Sequence, residues 1–129
     1  MAPAYDPAWV YHGLLIGPLP QAAIFLDRLL AGKLLPANLL DAMQTAHHLG
    51  GPIPGRPWQS PGYGLGVMQG PTAEGLLLCG HTGGGPGSVV AVYQASRGDD
   101  SATAAVFVEG GSEGQVETAV VEALLSALD

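Results

Sequence analysis

Between Gly50 and Gly64 the chain reads GGPIPGRPWQSPGYG, and no other stretch constrains the fold as strongly. Its glycines and prolines remove backbone donors and leave no apolar period, so it predicts a long loop rather than a helix or strand. Regular structure must lie on either side of it. From Pro20 to Gly32, Ala22, Phe25, Leu26, Leu29 and Leu30 recur at helical spacing, with proline at the start and glycine at the end. A second helix is predicted from Pro36, with Leu39, Leu40 and Met43 on one face and His47 and His48 at its C-terminus. After the loop, Tyr63 to Gln69, Leu76 to Thr82, Ser88 to Ala95 and Thr103 to Glu109 read as strands, the last two joined by the turn SRGDDS. Ser112 and Gln115 match a capping box, and Val116, Ala119, Val120, Ala123 and Leu124 continue it at helical spacing. The order helix, helix, four strands, helix predicts an α+β fold: an antiparallel sheet of four or more strands flanked by N-terminal helices and a C-terminal helix.

At 129 residues the chain is expected to form a single domain over 1–129, with one core. Hydrophobic residues make up 47% and charged residues only 12%, a balance suited to a compact globule. Eleven acids face only Arg28, Lys33, Arg56 and Arg97, giving a net charge of −7. So few scattered bases cannot neutralise a run of phosphates, which argues against nucleic acid and anionic membranes as partners. The lone Cys79 has no disulfide mate within the chain and reads as a small core residue. The opening MAPAYDPAWVYHGLLIGPLP has no base and four prolines, unlike a signal peptide. The uncharged stretch Gly75 to Ser96 is too rich in glycine for a spanning helix. The expectation is a soluble, cytoplasmic protein with a small-molecule ligand.

Three segments, FLDRLLAGKLLPANLLDAMQTA, GYGLGVMQG and GHTGGGPGSVVAVY, carry a resemblance in their order and spacing. Together they resemble the C-terminal part of the serine β-lactamase and penicillin-binding-protein superfamily, in its class C and D-alanyl-D-alanine-peptidase-like esterase branch. His81-Thr82-Gly83 falls where that family has its third motif, Lys or His, then Ser or Thr, then Gly. The resemblance implies a five-stranded antiparallel sheet with this motif on a strand bordering the catalytic cleft. It also implies that the backbone N–H of Gly84 contributes to an oxyanion hole. The family's nucleophile motif Ser-x-x-Lys is not present here, because the one lysine, Lys33, has Leu30 three positions before it. Its Tyr-x-Asn motif is missing too, since Asn38 follows Pro36 at that spacing. The expectation is therefore a truncated β-lactamase-like α/β domain without the serine acyl-enzyme route. Ser60 and Ser88 have no lysine partner in sequence.

The resemblance places His81 on the cleft strand, His12 on a loop facing the cleft, and His47 and His48 on its rim. Imidazoles around an open position suit a catalytic Zn²⁺, which lowers the pKa of bound water toward about 7. One expectation is thus a zinc-dependent hydrolase of esters or phosphoesters, with His12, His47, His48 and His81 as ligands and Gly84 at the oxyanion. Glu109 is a further candidate ligand from a neighbouring subunit. The alternative is a catalytically inactive remnant of a serine hydrolase that binds a ligand in the residual cleft. In support of that alternative, no HExxH signature occurs, and paired histidines at a helix end equally suit the helix dipole. Tyr5, Trp9, Tyr11 and Trp58 serve equally as pocket lining or as lids packed on the core. The last strand lacks the partners it has in the family, so a homo-oligomer, most simply a dimer, is expected.

Overall fold

A computed structural model describes residues 16–129, so expectations for Tyr5, Trp9, Tyr11 and His12 lie outside the described residues. The elements run α1 (Leu19–Leu30), α2 (Ala37–Gln44), β1 (His47–His48), β2 (Gly62–Tyr63), β3 (Met68–Pro71), β4 (Leu77–Gly85), β5 (Ser88–Arg97), β6 (Asp100–Glu109) and α3 (Glu113–Leu128). All six strands form one sheet in sequence order, each antiparallel to its neighbour. The α+β expectation holds. No described helix is long and apolar enough to cross a membrane.

Local chemistry sets each boundary. Pro18 and Pro20 open α1, and Gly32 closes it at φ 74°. There Lys33 N–H bonds to Arg28 O and Gly32 N–H to Leu29 O, a Schellman closure. Helix α3 begins with the full capping box: Ser112 Oγ accepts from Gln115 N–H and Gln115 Oε1 accepts from Ser112 N–H. The β4–β5 hairpin turns through Pro86-Gly87, with Gly87 at φ 80°, the pairing of residues that a type II turn requires.

Four sequence expectations change. Helix α2 stops at Gln44, so His47 and His48 are not at a helix terminus but form strand β1. Thr45 donates its hydroxyl to Asp41 O and turns to an extended backbone, which frees the histidines to pair with Tyr63 and Gly62. The expected strand Tyr63 to Gln69 is broken into β2 and β3 by a tight turn in which Gly64 N–H bonds to Val67 O and Gly66 takes φ 78°. The long loop is also shorter than predicted, because its last residues supply β2. With β1 and β2 added, the sheet has six strands among the described residues, rather than the five that the resemblance implies.

The two faces of the sheet differ. One face packs under α3: Leu78, Ala91, Tyr93 and Ala95 meet Val116, Val120 and Leu124, all at or near zero exposure, with Trp58 and Leu76 closing the edge. Alternate residues of β4 and β5 supply this face, as a pleated strand requires. Gly80 belongs to it, because a Cβ there would collide with the Val92 carbonyl and the Tyr93 ring. On the opposite face α1 lies across β5 and β6, and Asp27 accepts hydrogen bonds from Thr103 Oγ1 and Gln94 Nε2.

Candidate functional site

Strand β4 is paired on both sides only as far as Gly80. Its ladder with β3 ends at Met68 opposite Gly80, whereas its ladder with β5 continues to Gly85 opposite Ser88. From His81 to Gly85 one edge of β4 therefore has no strand partner among the described residues. A β-strand directs successive residues' backbone groups to alternate edges, so part of this segment presents unpaired N–H and C=O groups. Gly83, Gly84 and Gly85 are exposed and carry no side chain to block approach.

Strand alternation splits the His81-Thr82 pair. His81 is exposed, and its Nε2 lies 2.8 Å from the Tyr63 hydroxyl, with the rings edge to face at 5.7 Å. Thr82 points the other way, into the core, where its hydroxyl donates to Glu117 Oε1 at 2.6 Å and lies 2.8 Å from the Tyr93 hydroxyl.

Glu117 has no solvent exposure. A buried carboxylate is tolerated only when its lone pairs are filled. Here Arg56 approaches as a fork, with Nε on Oε2 at 2.7 Å and Nη2 on Oε1, and Trp58 Nε1 donates to Oε2 at 3.1 Å. Glu113, one helical turn earlier, holds Arg56 Nη1 at 3.1 Å. The hydrogen bond to Glu117 raises the Arg56 guanidinium above its ordinary value, with burial acting against it. Burial is the main cause that lifts the Tyr93 phenol far above its usual range. Burial likewise raises the Cys79 thiol. The loop, α3, β4 and β5 are thus bolted together directly behind the open edge.

The histidines are less gathered than the sequence suggested. His47 and His48 are successive residues of one strand, so their side chains leave opposite faces. His48 Nδ1 lies 3.2 Å from Ser60 Oγ, while His81 is engaged with Tyr63. Among the described residues no group of three or more His, Cys, Asp or Glu stands close enough to hold a metal ion. Glu109 ends β6 opposite Ser88. Gly84 lies on the open segment beside Glu113: a Cβ built there would be 3.9 Å from its Oε1.

Sequence reasoning missed Glu117, Arg56 and Tyr63. The signal for Glu117 was present: an acid at the spacing of Val120, Val121 and Leu124 sits on the apolar stripe of α3, where a charge demands a partner.

No family model and no curated protein matches the chain. Among solved structures, it is similar to a D-stereospecific amidohydrolase from Streptomyces sp., at 29% identity and a TM-score of 0.60. The match covers 84% of this chain and 29% of that one, so the chain spans less than a third of its neighbour. The chain therefore has a hydrolase-related fold, an α+β arrangement consistent with a truncated β-lactamase-like domain.

Proposed function

We propose that this chain forms the substrate-binding wall of a hydrolase site for small acyl compounds, amides or esters. One observation carries the reading: among the described residues the edge of β4 from His81 to Gly85 is open beside the Tyr63–His81 pair, on a fold similar to that of an amidohydrolase. An extended amide or ester lies along such an edge as an added strand, its polar groups meeting the free backbone groups. Gly84 N–H is the donor assigned to the developing acyl oxyanion, and a backbone donor held by a paired strand needs no reorganisation to act. His81, oriented by Tyr63, supplies a side-chain hydrogen bond at the start of the segment.

The Ser-x-x-Lys nucleophile is not among these 129 residues. On this reading the wall binds, and the group that attacks the carbonyl comes from elsewhere. The metal alternative would put that group on zinc held by His12, His47, His48 and His81, of which the described His47, His48 and His81 are not gathered into one site.

Titration of the ¹⁵N-labelled chain with D- and L-phenylalanine amide separates these readings. The expected result is saturable shifts at Tyr63 and His81–Gly85, with affinity about tenfold weaker in His81→Ala, the loss of one hydrogen bond worth about 1.4 kcal/mol. Shifts that avoid β4 would refute the wall. Hydrolysis that requires zinc and stops on chelation would assign the chemistry to metal-bound water instead.

A further inference from the structure

A second constellation lies on the β1–β3 side of the sheet. A cleft of about 330 Å³ opens there, lined by Ala46, His48, Ser60, Gly62, Gly70 and Leu77. Inside it Ser60 Oγ and His48 Nδ1 are 3.2 Å apart. Leu77 is four residues along β4 from His81, about 13 Å at the rise of a strand, while Gly62 adjoins Tyr63, so the cleft extends from beside the open edge toward the far end of β4.

The backbones that carry the two side chains are held in place. Leu49 N–H bonds to Pro61 O at 2.9 Å, and Gln59 N–H bonds to Pro71 O at 3.0 Å, which brackets Ser60 on both sides. His48 pairs with Gly62 across the β1–β2 ladder. Gly70 packs so closely on the Ser60 carbonyl that a Cβ there would overlap it. Next to Gln59, Trp58 is 1% exposed and anchored to Glu117. The pair is therefore positioned by main chain rather than by flexible side chains.

We propose that Ser60 and His48 form a nucleophile–base dyad that turns over activated esters, aryl esters above all. In the tautomer with its proton on Nε2, His48 accepts the Ser60 hydroxyl proton at Nδ1 as Oγ bonds to the ester carbonyl carbon. The tetrahedral adduct collapses, the carbonyl–oxygen bond to the phenol breaks, and His48 returns the proton to the departing phenoxide. Water, deprotonated by the same imidazole, then cleaves the acyl-serine and restores the hydroxyl.

The substrate class follows from magnitude. A positioned general base contributes about 10²–10⁴-fold. His48 has no carboxylate partner among the described residues, so the pair works without the third member of a triad. That acceleration suffices for a phenyl ester, whose leaving group is good, and falls short for an amide. A cleft of this volume, with Ala46 and Leu77 as apolar walls, is sized for a small aryl or acyl group.

The test uses the full chain with an alkyl fluorophosphonate, read by intact mass and peptide mapping, and with phenyl acetate, read by phenol release. The expected result is one adduct, on Ser60, and phenol release that falls to background in Ser60→Ala. His48→Gln, which keeps a hydrogen-bonding side chain but no base, should slow both reactions at least about tenfold, while Ser88→Ala behaves as the parent chain. An unlabelled chain, an adduct on another residue, or His48→Gln reacting at the parent rate would overturn the proposal. Mapping on the unsubstituted chain gives the answer even where a variant folds poorly.

Discussion

Tyr93 is the residue on which the chemistry behind the site converges. Its ring meets Trp58 edge to face at 5.5 Å, its hydroxyl bonds to Thr82, and no part of it reaches solvent. Burial holds its phenol protonated well past the ordinary value of about 10. The consequence for stability has a definite sign. Above about pH 10 the unfolded chain releases this proton while the folded chain keeps it, so the unfolded state gains. Stability should fall with a slope of up to about 1.4 kcal/mol per pH unit from this group, on top of any other titration in that range. Tyr93→Phe keeps the ring and removes the proton. Urea unfolding between pH 9 and 11 should show a shallower decline for Tyr93→Phe than for the parent chain, and equal slopes would refute the assignment.

At the scale of elements, α3 is fastened to β4 by Glu117 and to the long loop by Arg56. Removing one partner of a buried pair leaves the other charge stranded, at about 3 kcal/mol or more. Arg56 keeps 20% side-chain exposure and the Glu113 contact, which places Glu117→Ala at the lower end. The urea midpoint should drop by roughly 1–2 M at an ordinary denaturant slope. A drop below about 0.5 M would show that the carboxylate is not the fastener.

The same elements show what the sequence could disclose. Helix α3 was legible to the residue at its start, because Ser112 and Gln115 satisfy each other within one turn. The strands of the β4–β5 and β5–β6 hairpins were legible from their alternation, but their turns were not: Gly83–Gly85 continue β4, and Ser96, Arg97, Asp100 and Ser101 belong to β5 and β6, which leaves two-residue turns at Pro86-Gly87 and Gly98-Asp99. Strands β1 and β2, two residues each, were not legible: they exist only through pairing across the loop 49–61, and nothing in His47 or His48 announces it. The site divided the same way. The motif His81-Thr82-Gly83 could be read from the chain, whereas the Arg56–Glu117 pair joins residues 61 apart in sequence and appears only once the sheet has formed.

At the scale of the molecule, β6 is the long edge of the sheet left unpaired among the described residues, ten residues with no lysine, proline or bulge to discourage pairing. Phe107 on it is 49% exposed, and Phe25 and Ile24 on α1 are exposed as well. Such an edge favours association, and the net charge of −7 opposes it. Salt screens charge over about 8 Å at physiological strength and leaves backbone pairing intact, so association should strengthen as salt rises. Sedimentation at micromolar concentration is expected to show dimers in 0.5 M salt, and monomers for Phe107→Lys under the same conditions. A parent chain that is monomeric throughout would remove the edge from consideration.

The Arg56–Glu117 pair also has a consequence for how this chain can change over generations. Each side chain is tolerable in its place only because the other is there, so a lineage that loses one carries a folding defect until it loses the second. Well-packed apolar pairs can replace buried ion pairs at little cost, and sometimes with a gain. The open routes are therefore to keep both or to exchange both. Relatives of this chain should divide into those with an arginine and a glutamate at these two positions and those with two hydrophobic residues, with mixed forms scarce.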